Sequence, residues 1–173
     1  MDTNTDTMDV AVESESAHVR VHGKGSFKNS PALKQFGVAM MERGCRRLVV
    51  EMDDCVGMDS TFMGVLAGLA ILYRKNEGDV ALRNMSDKNC SLVETLGLSH
   101  LIRVEKGEGA NLRKKTSRLD LVADKRVLAE TMLEAHETLA GAVPGNVTKF
   151  KDVLAYLREN VAQMADPAKA GNG

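Results

Sequence analysis

The sequence contains few aromatic residues and carries almost no net charge. Aromatic side chains make up 3% of the 173 residues, and tryptophan is absent. Stacking platforms for single-stranded nucleic acid are therefore not expected. Lysine and arginine number 23 against 24 aspartates and glutamates, a formal net charge of -1. Since no overall field attracts a polyanion or an anionic membrane, we expect neither nucleic acid nor membrane as a partner.

Cysteine is also scarce, and it is poorly placed for a structural role. Cys45, Cys55 and Cys90 are widely spaced and include no Cys-x-x-Cys pair, which argues against a disulfide framework or a zinc site. The acidic residues 1–9 lack the features of a signal peptide. The longest apolar run, residues 62–73, is shorter than the ~20 residues that span a bilayer as a helix. We expect a cytoplasmic protein without a metal or another cofactor.

Sequence motifs of common enzymes are missing too. The chain contains no Gly-x-Gly-x-x-Gly, no Gly-x-x-x-x-Gly-Lys-Ser/Thr and no Gly-x-Ser-x-Gly. Hydrophobic residues nevertheless make up 43% of the chain, with ten methionines, so a sizeable aliphatic core is available. These features favour a globular binding or regulatory protein over an enzyme.

The first half of the chain alternates strand and helix patterns. Residues 10–14 and 18–23 alternate apolar and polar positions, as strands buried on one face do. Residues 30–43 predict a helix that begins with a Ser-Pro cap and is followed by Gly44. The apolar residues 47–52 predict a central strand. The pattern therefore begins β-β-α-β.

The same alternation continues to residue 106. An apolar helix is predicted at residues 60–75, a strand at 80–84, a short helix capped by Ser86, and a last short strand within 98–104. Residues 53–59 are interpreted as a loop. Strands alternating with helices predict a small mixed β-sheet with crossover helices, an α/β domain at residues 8–106.

A different composition follows this domain. Residues 107–118 are interpreted as a linker, and 119–164 as a helical hairpin because apolar residues recur every three or four positions. Residues 165–173 are expected to be a flexible tail. Two such helices alone bury little surface, so the hairpin should dock on the α/β domain, on a second copy to form a homodimer, or on a partner.

One segment of the α/β domain combines polar residues with a helix start. Asp59, Ser60 and Thr61 open the apolar helix at the end of a central strand, where α/β sheets expose functional loops. Either these residues only cap the helix, or a hydroxyl accepts phosphate. Gly64 and Gly68, one turn apart, are expected to permit close packing of this helix.

The pattern around this segment resembles a known family. Residues 59–66 (Asp-Ser-Thr-Phe-Met-Gly-Val-Leu) follow the strand at 48–52 and precede the strand at 80–84 and a Leu-Gly-Leu at 96–98. This order resembles the STAS domain of bacterial anti-sigma-factor antagonists. The resemblance covers residues 8–106. It implies that Thr61 is the phosphoacceptor, with Ser60 as the preceding hydroxyl.

The resemblance also implies partners and a mechanism. The unphosphorylated protein would bind an anti-sigma factor that is a serine/threonine kinase and so free a sigma factor; phosphorylation would end binding, and a phosphatase would restore it. The implied partner-binding residues lie in two loops: Gly25, Ser26, Asn29, Asp59, Ser60, Thr61 and Phe62. Phe62 departs from the family, in which many members have glycine there.

Alternatives remain at the sequence level. The domain could instead be a STAS scaffold subunit of a larger signalling complex, in which the hydroxyls are only caps. The glycine-rich segment 25–30 could be a turn with a helix cap rather than a contact. His136 is followed by Glu-Thr-Leu-Ala-Gly, a distant likeness to histidine phosphotransfer domains, or it is an ordinary surface or capping histidine.

Overall fold

The computed structural model describes residues 6–107 and 116–165. The strands, in chain order, are β1 (Thr7–Glu13), β2 (Ser16–Gly25), β3 (Arg47–Glu51), β4 (Cys55–Met58), β5 (Asp79–Arg83), β6 (Arg103–Glu105) and β7 (Ser117–Arg118). The helices are α1 (Ser30–Glu42), α2 (Ser60–Lys75), α3 (Asp87–Thr95), α4 (Lys125–Ala142) and α5 (Gly145–Ala165), with a 3-10 helix at Leu98–His100. From residue 166 onward, the predicted tail lies outside the described residues.

The strands form a mixed sheet in the order β6-β5-β3-β2-β1-β7. β1 and β2 pair antiparallel, while β2, β3, β5 and β6 are parallel because helices connect them. Val19 of β2 is in register with Val50 of β3, and Val50 with Leu82 of β5. All three side chains are fully buried. The predicted α/β fold class, a mixed sheet with crossover helices, is confirmed.

β4 is a strand that the sequence pattern did not indicate, since residues 53–59 are predicted to be a loop. It pairs with the end of β2, where Gly23 lies opposite Cys55 and Gly25 opposite Met58. The register shifts after Gly23, whose φ of 81° lies in the left-handed region that glycine tolerates. At this bulge β2 changes its partner from β3 to β4, which brings the ends of β2 and β4 together.

The other unexpected strand, β7, lies within the segment that was interpreted as a linker. Ser117 pairs with Val10 of β1, and Arg118 pairs with Asp9. The Leu119 amide also donates to the Met8 carbonyl at 3.0 Å. The chain therefore joins the sheet again before it enters the C-terminal helices.

Residues 98–104 differ from the predicted single strand. Gly97, with φ 69°, is followed by a 3-10 turn, and only residues 103–105 pair with β5. Leu98 and Ile102 are 0% and 2% exposed. The turn therefore anchors this segment in the core, and the paired strand is limited to three residues.

α1 and α2 pack closely beside each other. A Cβ atom on Gly37 of α1 would lie 2.7 Å from the Leu69 side chain of α2. The buried Tyr73 hydroxyl of α2 donates to the Gly37 carbonyl at 2.7 Å. This contact places α2 between α1 and the C-terminal helices.

α4 and α5 form the predicted hairpin, called the hairpin below, and it docks on the α/β domain. A Cβ atom built on Gly64 of α2 would lie 2.4 Å from the Ala135 carbonyl oxygen of α4. At the start of α5, the Asn146 side-chain amide donates to the carbonyls of Leu96 and Leu139, each at 3.0 Å. Of the three docking partners considered, the chain's own α/β domain holds the hairpin.

Of the two glycines expected to permit close packing of α2, only Gly64 lies in close contact with α4. The nearest atoms to a Cβ on Gly68 belong to the Thr138 side chain, at an ordinary 3.9 Å. Gly68 therefore has room for a side chain, because α4 crosses α2 one turn earlier.

Replacing each glycine by alanine tests this crossing point. Gly64→Ala should lower the thermal midpoint, because its methyl group would meet the α4 backbone at a cost of about 1–3 kcal/mol. Gly68→Ala is the matched control, one turn away on the same helix, and should raise the midpoint or leave it unchanged through helix propensity. Calorimetry of the two variants measures the difference. Equal midpoints would show that α4 does not touch α2 at Gly64.

A fragment of residues 119–164 tests whether the hairpin depends on the α/β domain. Ala135, Leu139, Phe150 and Leu154 belong to the same buried cluster as the sheet residues. Without the sheet and α2, the apolar area they bury together is too small to offset the ordering entropy. The fragment should be poorly helical by circular dichroism. A cooperatively melting helical fragment at low concentration would contradict this dependence.

Candidate functional site

The ends of β2 and β4 bring two loops into contact. Gly25 is paired with Met58, and the Asp59 amide donates to the Gly25 carbonyl at 2.9 Å. The loop before α1 and the start of α2 are therefore neighbours, as expected for loops that precede helices on one side of a sheet.

Asp59 holds both loops through its carboxylate. One oxygen accepts from the Phe62 amide at 2.9 Å and caps α2, while the other accepts from the Phe27 amide at 2.8 Å. A negative charge at a helix N-terminus is also favourable to the helix dipole. The cap expected from the sequence is present, and the same side chain fixes the loop before α1.

Ser26 and Asn29 serve their own loop in this structure. The Ser26 amide donates to the Asn29 side-chain oxygen at 2.9 Å, and the Asn29 amide group donates to the Lys24 carbonyl at 2.9 Å. Ser26 and Asn29 are 7% and 1% exposed. The side-chain cap expected at Ser30 is wrong: Ser30 is the first residue of α1 and its hydroxyl donates back to the Ser26 carbonyl, while Asn29 at the N-cap position makes no side-chain hydrogen bond to the helix.

Phe62 and Gly25 pack against each other inside the domain. Phe62 is 0% exposed, and a Cβ atom on Gly25 would lie 2.7 Å from its ring. The phenylalanine that departs from the family pattern is therefore a core residue here. Glycine at position 25 provides the space for its ring.

Ser60 and Thr61, called the hydroxyl pair below, have different surroundings. Thr61 is 3% exposed. Ser60 is half-buried, and its Oγ lies 2.9 Å from Nε2 of His136 on α4. The hydroxyl of Ser60 is thus already engaged by the hairpin.

A second contact of the His136 ring shows which of its nitrogens carries a hydrogen. Nδ1 lies 2.7 Å from the Met132 carbonyl oxygen, which can only accept, so Nδ1 carries the hydrogen. In the neutral ring, Nε2 then accepts from the Ser60 hydroxyl. The ring also meets Phe150 of α5 edge-on, with centroids 5.3 Å apart.

His136 is a site residue that the sequence interpretation did not place. It is 4% exposed, so it is not a surface histidine. The available signal was its position on the apolar stripe of α4, beside Ala135 and three residues before Leu139. Its partner Ser60 is 76 residues away in the chain.

Other chemistry is not indicated around the hydroxyl pair. Burial raises the pKa of the Cys55 thiol, and its sulfur donates to the Gly57 carbonyl, so it is poorly suited as a nucleophile. Within residues 6–107 and 116–165, no group of three or more histidine, cysteine or acidic side chains is arranged to bind a metal ion. None of the helices described is both long and apolar enough to cross a membrane.

Comparisons with known proteins agree with the resemblance. The family model described as "Mlab, STAS domain" matches residues 8–103, more than half of the chain. The anti-sigma-B factor antagonist of Bacillus subtilis (strain 168) is 29% identical over 103 residues, which cover 59% of this chain and 94% of that protein. Its counterpart in Staphylococcus aureus (strain NCTC 8325 / PS 47) is 28% identical over 89 residues, 51% of this chain and 82% of that one.

Solved structures show the same fold. The anti-sigma factor antagonist SpoIIAA in its unphosphorylated form superposes with a TM-score of 0.53 at 18% identity, over 62% of this chain and 94% of that one. A putative anti-sigma factor antagonist from Thermotoga maritima gives 0.53 at 13% identity, over 57% and 85%. The family model ends before the hairpin begins. The family model matches the chain from β1 to the start of β6, including both loops held by Asp59. The chain therefore belongs to the STAS domain family.

Proposed function

We propose that this protein is an anti-sigma-factor antagonist controlled by phosphorylation. In its unphosphorylated form it binds an anti-sigma factor that is also a serine/threonine kinase, and a sigma factor is released. The observation that carries the proposal is the hydroxyl pair after a capping aspartate, in a chain similar to anti-sigma-B factor antagonists. The protein acts as a ligand and a substrate, and the kinase supplies the catalysis.

The chemistry of the switch needs one hydroxyl and ATP. The kinase transfers the γ-phosphoryl group of ATP to Thr61 Oγ1, the hydroxyl proton passes to a base of the kinase, and ADP leaves. A phosphatase reverses the change when water attacks the phosphorus and inorganic phosphate is released.

Electrostatics support dissociation after phosphorylation. The phosphate adds about -1.5 to -2 charges beside the Asp59 carboxylate, which already accepts two amide hydrogen bonds. Burying this charge in an interface without a matched cation costs several kcal/mol. Each ~1.4 kcal/mol weakens binding about tenfold.

The buried position of Thr61 also supports a second candidate, a scaffold subunit of a larger signalling complex. Thr61 is 3% exposed, and the Ser60 hydroxyl is hydrogen-bonded to His136. In a scaffold both hydroxyls would be structural, and the domain would bind partners without being modified. Phosphate mapping separates the two functions.

Substitution of the hydroxyl pair tests the proposed switch. When the chain is purified from its own cells, Thr61→Ala should carry no phosphate at this site, because the acceptor oxygen is gone. Ser60→Ala, the matched control, should still carry phosphate, because the acceptor oxygen of Thr61 is retained. A phosphate-affinity gel and mass spectrometry measure both. Thr61→Ala should also capture the kinase, whereas Thr61→Glu should lose it through the added charge.

Two outcomes would contradict this assignment. Phosphate on Ser60 alone would move the acceptor by one residue. An unaltered chain that carries no phosphate while the kinase and a phosphatase inhibitor are present would favour the scaffold.

A further inference from the structure

α4 lies on the face of α2 that begins with the hydroxyl pair. Ser60, Gly64 and Gly68 recur every four residues and form one face, called the docking face below. Ser60 is hydrogen-bonded to His136, and the backbone of Ala135 lies against Gly64. Gly68 faces Thr138. Three successive turns of α2 are thus in contact with a single helix of the hairpin.

Thr61 lies beside this face on the neighbouring stripe of α2. Positions 61, 65, 68 and 72 follow one another at helical spacing. Val65, Gly68 and Leu72 line a groove of about 280 Å³ between α1, α2 and α4. Thr61 continues their stripe toward the start of the helix, and it is buried. A kinase cannot reach an oxygen this deeply buried for in-line transfer, so the segments around Thr61 must move first, and α4 is bonded to the adjacent Ser60.

The contacts that hold α4 are suited to exchange. The Gly64 contact is between backbone and small side chains, and Ser60 makes a single hydrogen bond to His136. The Lys34–Glu134 ion pair joins half-exposed side chains on α1 and α4. A half-exposed ion pair contributes little to stability. A competing helix could replace these contacts without leaving a charge buried, and it would also have to bury apolar side chains where Ala135 and Leu139 lie in the core.

On the basis of the proposed function, we infer that the hairpin is a removable cover: α4 occupies the docking face, and the anti-sigma factor must displace it to bind there and to phosphorylate Thr61. The partner that fits the docking face is a helix with the same chemistry as α4. It presents a small residue to Gly64, a hydrogen-bond acceptor to Ser60 and a carboxylate to Lys34.

The chain remains attached when the cover moves. β7 stays paired with β1 through Asp9 and Val10, and α4 begins only at Lys125. The intervening residues 119–124 form no helix or strand. They can change their dihedral angles while the sheet stays intact, so the hairpin returns at high effective concentration.

Phosphorylation and opening are linked. A charged phosphate on the buried Thr61 favours solvent, so the modified chain favours the open arrangement. Since only the open arrangement exposes Thr61 to the kinase, anything that raises the open fraction raises the rate of modification. The hairpin therefore sets how readily the switch responds.

Chemical labelling at position 61 tests the cover without a kinase. Thr61→Cys is placed in a Cys90→Ser chain, and iodoacetamide alkylation is followed by mass spectrometry. Adding Gly64→Ala, which pushes α4 away, should raise the labelling rate at position 61 at least about tenfold. Adding Gly68→Ala, the matched control, should leave it unchanged. Cys45 and Cys55, buried in the α/β domain, report unfolding and should stay slow in both chains.

A reverse variant keeps the test decisive if Gly64→Ala unfolds the domain. Gly68→Cys with Thr138→Cys can form a disulfide, since a Cβ on Gly68 lies 3.9 Å from the Thr138 side chain. Oxidation should slow labelling at position 61, and reduction should restore it. Equal rates with Gly64→Ala and Gly68→Ala, or no change on oxidation, would overturn the cover.

The outcomes also separate this inference from the proposed function. If the labelling rate at position 61 changes with the position of the hairpin, but Thr61 is never phosphorylated in cells, the phosphoswitch is disproved and the cover is retained. If Thr61 is phosphorylated in cells, but the labelling rate at position 61 is the same in all variants, the cover is disproved and the switch is retained.

Discussion

The position of the hydroxyl pair depends on one planar group, the carboxylate of Asp59. Its two oxygens accept from Phe62 at 2.9 Å and from Phe27 at 2.8 Å, so they join the start of α2 to the loop before α1. Because both bonds belong to one side chain, the two loops cannot move independently. Ser60 and Thr61 follow directly in the chain, and α4 contacts the first of them through His136. Loss of this carboxylate would free a helix end and a loop together.

Local patterns in the sequence predicted most of the α/β domain. The bounds of α2 agree at both ends, since Asp59 caps it and Arg74 and Lys75 end its apolar run. β4 was missed because it has only four residues, includes Gly57 and follows two aspartates. It is a strand only because β2 shifts register at Gly23 and pairs with it. Pairing between distant segments leaves no such pattern in the sequence.

The hairpin shows the limit of sequence interpretation most clearly. Its apolar stripes predicted that two helices have a buried face, but a stripe does not state what covers that face. Gly64 and Gly68 look equivalent in sequence, and only the crossing point of α4 distinguishes them. The contact between Ser60 and His136 joins residues 76 positions apart, so no local spacing could predict it.

The short outer strands also determine how this protein can assemble. In the described part of the chain, β6 ends the sheet with three residues and β7 ends it with two. Strands of this length present few free backbone groups, which protects a sheet from adding strands of other chains and from aggregation. β7 covers the middle of β1, and Arg118 forms an ion pair with Asp9 on that edge. Growth of the sheet by strand addition is therefore disfavoured at both ends. Other proteins are expected to bind at the helices and their loops instead.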